Sequence, residues 1–301
     1  MIEDQLSWDK FYAESTKEKE IKEVKRFNRL IAHSKNFFVI SGYGAFTPGY
    51  LLIISKDFLP SFGLLNTEHL AELNFMIDIS KKIIKNKYGR KSVVFEHGMC
   101  ACIGGLDRAH LHIMSISNDS SINSLTQTIN DTLYERKVGI EYVKYKGYKL
   151  ENIHDINQFF EDKENLSSED TKIFGKILNI KEIQDLSVNL WPKITIDHIK
   201  KGGHYVYFKS DFNDASFLTI HNFNTQFGRQ VVYNNEKKLN EKFCKEVSVI
   251  QKDNAFLEVW KWQNCMFNEN ILDTVNKSKS GFKDLKTEFE DQFSKYDVKI
   301  I

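Results

Sequence analysis

The chain has 301 residues, with 42 lysines and arginines against 41 aspartates and glutamates, a formal net charge of +1. That balance excludes a broad electrostatic footprint for a nucleic-acid polymer or an anionic membrane surface, so any anion is bound locally. A hydrophobic content of 41%, with 23 Phe and 12 Tyr, is ample for a packed core. The charged N-terminus MIEDQLSWDKFYAESTKEKE carries no signal-peptide apolar stretch, and no run approaches the ~20 apolar residues of a membrane helix, so the expected location is cytoplasmic.

In chain order, residues 15–34 place Ile21, Val24, Phe27 and Ile31 among charges, which predicts an amphipathic helix. Two β-rich runs follow, NFFVIS (36–41) and GYLLIIS (49–55), separated by the glycine-bearing GYGAFTP and expected to pair antiparallel. Thr67 is a candidate cap for a helix running to about Lys87, with Leu70, Leu73, Ile77, Ile83 and Ile84 as its buried stripe and Gly89 as its end. SVVFEHG (92–98) reads as a strand, and a glycine- and cysteine-rich loop leads to the next one. The order helix, hairpin, helix, hairpin describes an α+β domain over residues 1–120.

Residues 121–301 form a C-terminal extension, mixed but mostly helical. SINSLTQTINDTLYERK reads as a helix, and HYVYFKS (204–210) with FLTIH (217–221) as a second β element. In NFNTQFGRQVVY, Thr225 is a candidate cap for a helix that would put Gln226, Arg229 and Gln230 on one face. Trp260 and Trp262 read as core or interface anchors, and the charge runs at 236–246 and 282–298 as solvated helix faces.

The chemistry concentrates in residues 104–117, GGLDRAHLHIMSIS. As a strand, this run sends Ala109, Leu111 and Ile113 to one face and Arg108, His110, His112 and Met114 to the other. Two imidazoles and a cation behind the Gly104-Gly105 pair are placed to converge on something small and anionic. Four cysteines (Cys100, Cys102, Cys244, Cys265) are too few and too scattered for a disulfide framework, and C-x-C lacks the spacing of structural zinc sites. A metal site from His110, His112, Cys100 and Cys102 is the minor alternative, with no metal and no cofactor expected. The sequence contains no P-loop, no G-x-G-x-x-G and no serine nucleophile elbow.

The stretch from Asn36 to Ser117 resembles the histidine-triad superfamily of nucleotide hydrolases and transferases. NFFVIS, GYLLIISK, the helix near LAELNFMI, VVFEHG and GGLDRAHLHIMS carry the resemblance. It implies an antiparallel sheet with packed helices, His110 as the nucleophile, His112 as the third triad position and Arg108 in place of the first histidine. Phe58 stands where many relatives have a histidine, and Ser55 replaces the usual proline. The nucleophile of the family is held by a main-chain carbonyl of the first triad residue, which Arg108 can supply whatever its side chain. TQFGRQVV and VWKWQ look like stretches of longer bacterial relatives.

These readings lead to a nucleotide hydrolase or nucleotidyltransferase working through a covalent nucleotidyl-histidine. The rival reading is a catalytically weakened nucleotide-binding protein. His110, His112 and Arg108 are the candidate catalytic residues, and Asn36, Lys56, His97, Gly104, Gly105, Gln226 and Arg229 the candidate substrate-binding ones. The expected partner is a nucleotide or nucleotide conjugate, without a nucleic-acid polymer or membrane; the resemblance implies a sheet edge that protomers of a homodimer can share, while the sequence itself leaves the oligomeric state open.

Overall fold

The computed structural model describes residues 29–57, 59, 61–98, 109–135, 205–210, 215–219, 226–240, 243, 260–261 and 270–301. The apolar runs of the sequence become strands β1 (Leu30–His33), β2 (Phe37–Ser41), β3 (Leu51–Ser55), β4 (Lys91–Gly98) and β5 (His110–Ile116). Three more, β6 (Tyr205–Ser210), β7 (Ala215–Thr219) and β8 (Lys299–Ile300), come from the second half of the chain. Among the described residues they form one eight-stranded sheet in the order β7-β6-β4-β5-β3-β2-β1-β8, and every neighbouring pair is antiparallel. The expected β2–β3 pairing is present, with Phe37 opposite Ser55 and Ser41 opposite Leu51.

Helices cover both faces, which is why FFVIS and LLIIS are continuous apolar runs and not alternating ones. On one face, Leu51, Ile53, Val94, Leu111 and Ile113 pack with Leu73, Ile77 and Ile84 of α1 (Thr67–Tyr88). The same layer holds Val275 and Phe282 of α4 (Asn270–Lys286) and Phe293 of α5 (Glu290–Lys295). On the other face, Leu52, Ile54, Phe95 and Met114 meet Leu125 and Ile129 of α2 (Ile122–Glu135) and Phe227, Val231 and Val232 of α3 (Phe227–Leu239).

Several local expectations change. Leu30–His33 is a strand that pairs with β2, so the end of the helix expected at 15–34 is extended, and residues before 29 lie outside the described ones. Pairing to β2 and β8 overrides the helical spacing there. The cap of α1 is Asn66, whose side chain accepts from the His69 N–H, and not Thr67. The helix ends at Gly89 in the left-handed conformation. The strand expected at 217–221 runs from Ala215 to Thr219.

The charge run from residue 236 is not all solvated. Lys237 and Lys238 are exposed, yet Glu236 is fully buried, accepts from the Ser117 N–H at 2.5 Å and pairs with Arg90. This carboxylate ties α3 to the end of β5 and to the turn after α1. Removing one partner of such a pair strands the other, at about 3–5 kcal/mol.

Candidate active site

The period of two in β5 sends Leu111 and Ile113 into the α1 layer and His110, His112 and Met114 toward α3. His112 lies opposite Phe95 of β4 and Leu52 of β3, and His110 opposite Ile54. His97, two residues beyond Phe95, projects from the same face of β4. The ring centroids of His110 and His112 are 5.0 Å apart, and those of His97 and His112 6.0 Å. Three buried imidazoles from two strands thus share one patch beneath α3.

His112 is the most constrained of the three. Its ring stacks on Phe95 at 4.5 Å with planes 7° apart, and Tyr50 lies nearly parallel to it, 10° off, with its hydroxyl 2.6 Å from Nδ1. Gly42 makes room for that tyrosine, since a Cβ there would sit 2.3 Å from the Tyr50 ring. Burial pushes the His112 imidazole well below its ordinary range, and the positive potentials of His110, His97 and Arg229 act in the same direction. The ring is therefore neutral at physiological pH. Nε2 is buried and has no hydrogen-bond partner among the described residues, a situation that costs about 1–3 kcal/mol unless a ligand meets it.

The N-terminus of α3 closes the patch. Its cap is Gln226, in the left-handed conformation with φ of 72°, and the helix starts at Phe227. Thr225, the cap expected from the sequence, lies outside the described residues. The Gly228 N–H donates to Nε2 of His97 at 3.0 Å. A side chain at Gly228 is excluded, because its Cβ would fall 2.2 Å from Phe95.

Arg229 is 1% exposed, and its guanidinium donates to three main-chain carbonyls, those of Trp260 (2.7 Å), Tyr43 (3.1 Å) and Gly44 (2.6 Å). It also lies 5.2 Å from the Tyr50 ring centroid. Gln226 and Gln230 are buried beside it.

Two further candidates, Lys56 and Asn36, are held by groups outside the patch. Lys56 donates to the Ser34 carbonyl at 2.5 Å. Asn36 gives both its main-chain N–H and its amide to the buried Glu72, at 2.8 and 2.6 Å. The Ser55 N–H, which a proline would lack, donates to the Ala109 carbonyl at 3.0 Å and fixes the entrance of β5 next to His110. Arg108, Gly104, Gly105, Phe58, Cys100, Cys102 and Trp262 lie outside the described residues. Sequence reasoning missed Tyr50, Phe95 and Gly228. A tyrosine or phenylalanine in an apolar run reads as core, and only strand register brings these rings against His112.

Among the described residues, no helix is long and apolar enough to cross a membrane. Residues 15–127 match the protein-family model described as "Scavenger mRNA decapping enzyme C-term binding". A comparison with curated proteins finds no match.

Proposed function

Starting from a histidine-triad-like domain over residues 15–127, we propose that the chain cleaves a nucleotide phosphoanhydride or phosphoester through a covalent adduct on His110. The observation that carries this reading is the buried patch in which the ring centroids of His110 and His97 lie 5.0 and 6.0 Å from that of His112. A neutral imidazole is a nucleophile near neutral pH, where its reference pKa of ~6.5 leaves it largely unprotonated. Attack by His110 forms an N–P bond at the α-phosphorus as the P–O bond to the leaving group breaks. Water or another acceptor then cleaves the N–P bond.

Negative charge grows on the nonbridging oxygens in both steps, so fixed donors set the barrier. His112, the Arg108 side chain and the backbone of the Gly104-Gly105 loop are the donors in this scheme. Asn36 and Lys56 mark the rim on which the rest of the nucleotide rests. Gln226 and Arg229 belong to the wall that closes the site from the C-terminal half.

The test uses a panel of α-32P-labelled dinucleoside polyphosphates, quenched under alkaline denaturing conditions that preserve phosphohistidine. Label on the wild-type chain, lost on acid treatment and absent from a folded His110→Asn variant, is the expected result. Turnover with no trapped label, or label retained by His110→Asn, overturns the assignment. Wild type that binds these nucleotides without turnover or label is the weakened binding protein instead.

A further inference from the structure

Tyr50 stands outside the triad pattern, yet its hydroxyl lies 2.6 Å from Nδ1 of His112. Either group can hold the bridging proton, and chemistry decides which does. A phenol, with a reference pKa near ~10, is a far stronger donor than a neutral imidazole N–H, and the imidazole nitrogen is the stronger acceptor. The Arg229 guanidinium, 5.2 Å from the Tyr50 ring centroid, strengthens the phenol as a donor. Phe95, stacked at 4.5 Å, holds the imidazole plane in place, and the absence of a side chain at Gly42 lets the tyrosine ring approach. The opposite nitrogen, Nε2, is buried without a partner among the described residues.

We propose that Tyr50 is a positioning residue: it donates its hydroxyl proton to Nδ1 of His112 and holds that ring as the Nε2–H tautomer, a neutral donor aimed at a phosphate oxygen. Burial opposes a second proton on the ring, and the titratable and charged groups that face it, His110, His97 and Arg229, act in the same direction. The nature of the oxygen rests on the nucleotide reading above. The tautomer does not.

The experiment is long-range 1H–15N correlation on full-length protein with 15N-labelled histidine, His112 being assigned by loss of its signals in His112→Gln. In wild type without ligand, the expected pattern is an unprotonated Nδ1 and a protonated Nε2. In Tyr50→Phe the two nitrogens should move toward each other as the preference is lost. Addition of inorganic phosphate to wild type should shift the Nε2–H resonance. An Nδ1–H or doubly protonated His112 in wild type overturns the proposal even if Tyr50→Phe does not fold. An unchanged tautomer in folded Tyr50→Phe, or no response to phosphate, overturns it as well. Failure of the nucleotide reading looks different: no adduct forms on His110, while the His112 nitrogens still show the stated pattern.

Discussion

The Gly228 N–H donates to Nε2 of His97 at 3.0 Å, joining the first turn of α3 to β4. The bond makes Nε2 an acceptor and leaves the proton of neutral His97 on Nδ1. It forms only because residue 228 has no side chain, since a Cβ there would overlap the Phe95 ring that supports His112. One glycine thereby sets the distance between the C-terminal helix and two of the three imidazoles.

Gly228→Ala is therefore expected to destabilise the fold by about 1–3 kcal/mol through overpacking, and to lower turnover more than that loss explains. Urea unfolding midpoints and kcat/KM measured on the same preparations check this. Wild-type values for both would mean that α3 and Phe95 separate without consequence.

Arg229 makes a sharper case. Arg229→Met removes three buried hydrogen bonds from a charged donor, those to the carbonyls of Trp260, Tyr43 and Gly44, at about 1–3 kcal/mol for each bond lost. The expected outcome is a stability loss of at least about 3 kcal/mol, seen as a lower Tm. A variant of full stability with weaker nucleotide binding alone would make Arg229 a ligand clamp and not a brace.

His112 predicts a pH dependence with a definite sign. Its folded pKa lies well below the ordinary value of 6.5, so in acid the unfolded chain takes up a proton that the folded chain refuses. Stability is unaffected above the unfolded pKa and falls as pH drops below about 6.5 toward the folded value, by up to about 1.4 kcal/mol per pH unit. Urea midpoints at pH 7.5 and 5.5 should differ more in wild type than in His112→Gln. An equal difference in the two proteins removes His112 as the source.

A chain ending at residue 150 should not hold the native fold. It lacks β6, which pairs with β4 from Val93 to Gly98, together with the Phe227, Val231 and Val232 surface that covers Phe95 and Met114. Near-UV circular dichroism and amide exchange are the measures. A native-like spectrum with full turnover would show the second half to be dispensable.

The apolar runs at 37–41, 51–55 and 91–98 and the alternation in RAHLHIM were enough to determine strands, the β2–β3 hairpin and the face on which His110 and His112 project. These are local properties: side-chain period, turn residues and a helical stripe are legible within a window of ten or so residues. Residue 30 shows the limit of that window, because Leu30–His33 keeps helical spacing yet becomes a strand once β2 and β8 offer backbone partners. Tertiary structure alone decided that β6–β8 complete the same sheet, that His97 joins the pair in β5, and that Tyr50, Phe95 and Gly228 surround it. It also turned Arg229 and Glu236, polar residues on a charged helix, into buried groups bonded across the chain. The physical reason is common to all of these: each depends on partners outside its own segment, from His97 and His112 on neighbouring strands to Ala32 and Ile300 near opposite ends of the described chain, and no periodicity in a single segment encodes which distant groups will meet it.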